Sequence, residues 1–258
     1  MTRGFRRPAS AVEITRRLKA AGVPGAFTRE TAAYRGTERP CLRLSVPVRR
    51  GVLKTWAREH PDLSGEEFVT LLEALSAGRT VEERCSCGTL LTLYPRLRAG
   101  IGLDALDRWL GRLEGWLEID CLCQSTFAAR DLLDRWPAWD RYLARWAADP
   151  HPSRRRAALV LLTGPVRTSD DPRLAGRSFD NLRVLAGDRD PLITKAVSWL
   201  LRSLTGHHRS AVESFLADQE ARLPAIALRE TRTKLRTGRK TAPSGAAGTR
   251  RSARSRTG

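Results

Sequence analysis

Residues 103–116 read LDALDRWLGRLEGW, with apolar side chains at Leu103, Leu106, Trp109, Leu110, Leu113 and Trp116. Spacings of three and four wind these residues onto one stripe of an α-helix, whereas a strand turns its faces every second residue. The same rhythm recurs in FVTLLEALSAG (68–78), FAARDLLDRW (127–136), RRAALVLL (155–162), ITKAVSWLLRSL (193–204) and AVESFLADQEARL (211–223). Alternating strand patterns are nearly absent. The chain is therefore expected to be all-α.

Punctuation agrees with that expectation. Ser10/Glu13 and Ser64/Glu67 each form an S-x-x-E pattern, in which a hydroxyl and a carboxylate satisfy each other's end of a helix. Gly100, Gly102, Pro137, Pro150, Pro152, Gly187 and Pro191 separate the periodic segments. About a dozen helices of roughly 10 to 18 residues on short links imply a unit of about 35 to 45 residues. No consensus repeat is visible, so degenerate HEAT-like repeats and a compact helical bundle are the two architectures to weigh. A stacked array curves, and its concave face suits an elongated ligand such as duplex DNA.

The charge points the same way. Among 258 residues, 46 are Lys or Arg and 28 are Asp or Glu, a net of +18. That balance calls for a polyanion, nucleic acid ahead of an anionic membrane, although so strong a bias to Arg also fits a GC-rich coding sequence. The segment 239–258 carries six of these basic residues and no acid, which leaves +12 for the rest. Three regions follow: a flexible basic N-terminus (1–8), a helical-repeat domain (9–238) and a disordered basic tail (239–258), too poor in apolar side chains to order itself. The start, MTRGFRRPAS, lacks the apolar run of a signal peptide and no stretch suits a membrane span, so the protein is expected in the cytoplasm, on the nucleoid when bound to DNA. Five cysteines argue against a disulfide framework. Cys85/Cys87 and Cys121/Cys123 are two apart and diverge on a helix, so neither a metal site nor a cofactor is expected.

Three segments carry candidate chemistry. In GWLEIDCLCQ, Trp116 and Asp120 stand four apart, placing an indole and a carboxylate on one helical face. Taken alone, the pair fits ordinary core packing. In SRRRAALVLL, Arg154, Arg155 and Arg156 crowd a helix start, where the macrodipole gives cations nothing, so a phosphate or plain solvent is their counterpart. In KAVSWLLRSL, Lys195 precedes Trp199 by one turn on an apolar helix.

Together these segments resemble the AlkD-type DNA alkylation repair glycosylases. That family shows W-x-x-x-D on one helix, an Arg before Ala-Ala and aliphatics about 35 residues later, and then a K-A-[IV]-[GS]-W helix. Here the counterparts are Trp116-Leu-Glu-Ile-Asp120, Arg156-Ala-Ala-Leu-Val and Lys195-Ala-Val-Ser-Trp199, in the same order and at similar spacing. The likeness covers roughly residues 30 to 237. Tyr34, ahead of the R-x-x-x-P-x-x-R stretch from Arg43 to Arg50, stands where the family has a tyrosine. Leu117 replaces a common acidic residue and Arg43 a common glycine; Arg155 is one register from Arg156 and competes with it for the family arginine.

The resemblance implies a curved, right-handed HEAT-like solenoid around DNA and a monofunctional glycosylase that needs no deep base pocket. Purines alkylated at N3 or N7 are already cationic, so their glycosidic bond is weakened without a general acid. Asp120 would stabilise charge on the sugar and position water, with Trp116 and Trp199 flanking the lesion; Arg156, Arg155, Arg154, Tyr34 and Lys195 would meet DNA. Lys195 also allows Schiff-base lyase chemistry, which the family does not use. The expected partner is duplex DNA with alkylated bases, bound by a monomer. Two further readings compete: a non-catalytic protein for bent, branched or damaged DNA, and a protein-protein scaffold.

Overall fold

The computed structural model describes residues 7–124 and 126–241. Every regular element among them is helical, and the one pairing outside helices is an antiparallel bridge between Gly25 and Cys41. In chain order the helices are α1 (Ala9–Ala21), α2 (Arg29–Arg35), α3 (Val46–Glu59), α4 (Gly65–Ser76), α5 (Val81–Leu93), α6 (Pro95–Ala99), α7 (Leu103–Leu110), α8 (Gly115–Cys123), α9 (Ala129–Leu133), α10 (Trp136–Ala147), α11 (Pro152–Thr163), α12 (Pro165–Thr168), α13 (Pro172–Leu185), α14 (Pro191–Leu204), α15 (Arg209–Asp218) and α16 (Ala225–Thr237). Most of the expected terminal segments 1–8 and 239–258 lies outside the described residues.

Prolines open α11, α13 and α14, where a missing N–H costs nothing. The Asp171 and Asp190 carboxylates cap α13 and α14 by accepting from the N–H groups of Arg173 and Leu192. Ser64 and Glu67 form their expected capping box, and Thr80 with Glu83 forms another on α5. Ser10 and Glu13 do not. Helix α1 starts at Ala9 behind Pro8, and Glu13 accepts from the Trp56 indole and pairs with Arg17 instead. The periodic run 103–116 is likewise two helices rather than one. The N–H groups of Gly111 and Arg112 turn back onto the Asp107 and Trp109 carbonyls, and Gly115 starts α8 afresh in the left-handed region.

Helices α3, α5, α8, α11, α14 and α16 pack each against the next in one row, while α4, α7, α10 and α13 do the same in a second. Between the rows lies one continuous core, centred on α11, where Arg156 through Thr163 are all buried. A polar contact recurs along this packing. The indole N–H of buried Trp56 donates to Glu13 at 3.0 Å, that of Trp109 to Glu73 at 2.6 Å and that of Trp146 to Asp107 at 2.6 Å. Each acceptor also holds an arginine: Arg17, Arg112 and Arg154 respectively. Donor and acceptor stand 43, 36 and 39 residues apart, inside the repeat length expected from helix rhythm. A buried indole needs such a partner, and the carboxylate ties each helix pair to its predecessor.

Candidate functional site

Helix α8 is seated by two glycines. Gly115 has φ 62°, and a Cβ there would fall 2.0 Å from the Arg35 carbonyl oxygen, so the end of α2 rests directly on the start of α8. Gly88 does the same on the other side, where a Cβ would come within 1.7 Å of the Cys121 carbonyl oxygen and hold α5 away. Beneath the first turn, wholly buried Glu118 accepts from the Glu114 N–H at 3.0 Å and from Arg39 Nε at 2.9 Å. Burial pushes its carboxyl upward, with the Glu114 N–H and Arg39 opposing.

Trp116 and Asp120 then stand on the same face of α8. The Trp116 indole donates to the Tyr34 carbonyl at 2.8 Å, and the Tyr34 ring meets it edge-on with centroids 5.5 Å apart. Lys195 Nζ sits 4.7 Å from the centre of the Tyr34 ring. Asp120 takes a two-pronged contact from Arg156, Nε to Oδ1 at 2.8 Å and Nη2 to Oδ2 at 2.7 Å. The remaining guanidinium nitrogen, Nη1, donates to the Leu192 carbonyl at the start of α14. Arg156 is 5% exposed and Asp120 14%. Burial pushes the Asp120 carboxyl up from its ordinary value, and Arg156 draws it back only in part.

Six of the eight residues singled out in the sequence line one open cleft of about 420 Å³: Tyr34, Trp116, Asp120, Arg156, Lys195 and Trp199. Arg154 and Arg155 are not among them. Successive residues on α11 point about 100° apart, and these two turn to Asp107 at 2.8 Å and Asp188 at 2.9 Å. A second cleft of about 620 Å³ adjoins the first across Trp116 and Asp120, and is walled by Leu117, Cys121, Arg49, Arg50 and Lys54. Leu117 thus lies off the first cleft. Arg43 adopts φ 50°, the left-handed conformation that a glycine holds freely. Gly115, Glu118, Arg39 and Arg49 went unnoticed in the sequence; the glycine just before Trp116 was the one local signal for the first of them.

A model of the DNA alkylation repair enzyme family matches residues 14–235, which spans every helix carrying the cleft. The chain belongs to that family. As a DNA alkylation repair enzyme it works on DNA, and the three aromatic residues and Asp120 of the cleft all lie within the matched region. A search of the curated proteins finds no match. Among the described residues of this family member, no helix is long and apolar enough to cross a membrane, and no cluster of three His, Cys, Asp or Glu side chains could hold a metal ion.

Proposed function

We propose that the protein is a monofunctional DNA glycosylase that hydrolyses the N-glycosidic bond of cationic N3- or N7-alkylated purines in duplex DNA. One observation carries this reading: a carboxylate fixed by a two-pronged guanidinium contact at the base of a cleft walled by three aromatic rings. The leaving base is already a cation, so no proton donor is needed. What the site must supply is negative potential for a deoxyribose that gains positive charge, and an acceptor that aligns water at the anomeric carbon. Each Asp120 oxygen accepts one bond from Arg156 and retains a lone pair for that water.

In this mechanism Trp116 and Trp199 present π-faces to the cationic nucleotide, a contribution of about 0.5 to 2 kcal/mol each. The Trp116 ring is held for this by its bond to the Tyr34 carbonyl. Arg156 orients Asp120 and opposes its protonation, and the N–H groups it does not spend on Asp120 and Leu192 would meet a backbone phosphate. Tyr34 and Lys195 would meet the DNA backbone at the cleft mouth, with Lys195 acting as a cation over the Tyr34 ring rather than as a Schiff-base nucleophile. Arg154 and Arg155 are each paired with two aspartates, so they serve the fold and would contribute little to DNA binding. We place the cleft on the concave side of a right-handed HEAT-like solenoid, built from the two helix rows and binding DNA as a monomer.

The other reading, non-catalytic binding of bent, branched or damaged DNA, draws support from the same ion pair, since Arg156 engages both oxygens of Asp120. Incubation with a duplex containing 7-methylguanine, followed by chromatography of free base, separates the two. Excision is expected, with Asp120→Asn slower by about 10²- to 10³-fold. Undiminished release by Asp120→Asn defeats the mechanism, and tight junction binding without release from any alkylated duplex supports the binder.

A further inference from the structure

Cys121 follows Asp120 on α8, and its half-buried side chain turns away from the first cleft into the second, open one beside Arg49. Arg49 is 5% exposed, yet no carboxylate lies within ion-pair distance of it among the described residues. Its Nη2 donates to Cys121 Sγ at 3.2 Å, and its Nε is buried without a partner. The carboxylate that acts on it from farther away, Glu82, spends an oxygen on the Leu42 N–H. A buried guanidinium cannot be neutralised, so it demands an anion, and the group it touches that can become one is the Cys121 thiol.

Against Cys121 lies a second thiol. Cys85 on α5 is wholly buried and donates its Sγ–H to the Leu117 carbonyl of α8 at 3.7 Å, one turn before Cys121, where Gly88 lets the two helices touch. The pair is asymmetric: the neighbouring Cys85 thiol and Arg49 pull Cys121 below the ordinary thiol value against the effect of burial, while Cys85 is pushed up by its neighbour and by its own burial. One thiol is a half-buried nucleophile at an open cleft and its neighbour a wholly buried, protonated reserve.

We infer that Cys121 is a modification site for hydroperoxides, with Cys85 as its resolving partner, so that oxidation joins α8 to α5 through a Cys85–Cys121 disulfide. The Cys121 thiolate attacks one peroxide oxygen, the O–O bond breaks, and the departing oxide takes a proton as water or an alcohol. Cys85 then attacks the resulting sulfenic sulfur, the S–S bond forms, and the sulfenic hydroxyl leaves as water with the Cys85 proton. Two electrons pass from the thiols to the peroxide. The inference is independent of the proposed excision chemistry, because its readout is covalent mass.

The full chain is treated with equimolar hydrogen peroxide, alkylated, digested and analysed by mass spectrometry. Loss of two hydrogens, a peptide linking Cys85 to Cys121, and reversal by dithiothreitol are expected, with buried Cys41, Cys87 and Cys123 still reduced. In Cys85→Ala the reaction is expected to stop at a Cys121 sulfenic acid that dimedone traps. Five intact thiols after peroxide, prior oxidation of another cysteine, or no dimedone adduct on Cys121 in that variant would overturn the assignment.

Discussion

Asp120 couples the proposed chemistry to pH in a direction fixed by its surroundings. Burial raises its pKa and Arg156 lowers it, with burial the larger effect. The ionised form is the active one, so excision should fail as pH falls through that raised value, earlier than an ordinary carboxylate would allow. Stability moves oppositely. A folded pKa above the unfolded one means the native state binds the proton more tightly, so ionised Asp120 costs stability that is recovered as pH falls through the folded pKa. Arg156→Met removes the opposing cation and should move the acid limb of a single-turnover pH profile to higher pH; an unmoved limb would show that another group controls it. Arg43 offers a cleaner residue-scale test, because its exposed side chain sits on a left-handed backbone. Arg43→Gly should raise the unfolding free energy by about 1 kcal/mol in denaturant titration; an unchanged or lower value would show that Arg43 packing over Gly25 outweighs the backbone relief.

At the scale of single helices, the decisive quantity is how α8 meets α2. Gly115→Ala places a methyl against the Arg35 carbonyl and forces an L side chain into φ 62°. A cost of at least about 2 kcal/mol follows from the left-handed backbone and the clash together. Trp116 should lose its bond to the Tyr34 carbonyl, which near-ultraviolet circular dichroism and excision rate both register. A native spectrum in this variant would mean that α2 yields easily. Helix identity was legible because periodicity and caps such as Ser64/Glu67 are local. Helix starts were less so: the Ser10/Glu13 pattern has the right spacing, but Pro8 already sets the start and the Trp56 indole claims Glu13 from another helix. The pairing of Arg49 with Cys121, 72 residues apart, left no local trace.

For the whole molecule, the recurring bond from a buried indole to a carboxylate was hidden because it is a contact rather than a motif. Trp56, Trp109 and Trp146, unevenly spaced and answered by Glu13, Glu73 and Asp107 on earlier helices, have no fixed sequence frame. The ordered set Trp116, Asp120, Arg156 and Trp199 was legible only as a constellation, since each residue alone fits core packing. Net charge was legible but not its placement, because many arginines among the described residues pair with carboxylates within the fold. Arg50, Lys54 and Arg58 lie one turn apart along α3, exposed, and the first two wall the cleft beside Asp120. A stripe spaced this way can follow a phosphate backbone, and each contact would release a counterion when DNA binds. The logarithm of affinity should then fall with the logarithm of salt, and each lost contact should flatten the slope by roughly 0.9. Replacing Arg50, Lys54 and Arg58 with Ala together should flatten it by nearly three units and weaken undamaged and alkylated duplexes equally, since phosphates carry no sequence or lesion information. An unchanged slope would move the DNA path off α3 and toward Lys195 and α14. Binding indifferent to salt in the unaltered protein would remove electrostatic capture from the account altogether.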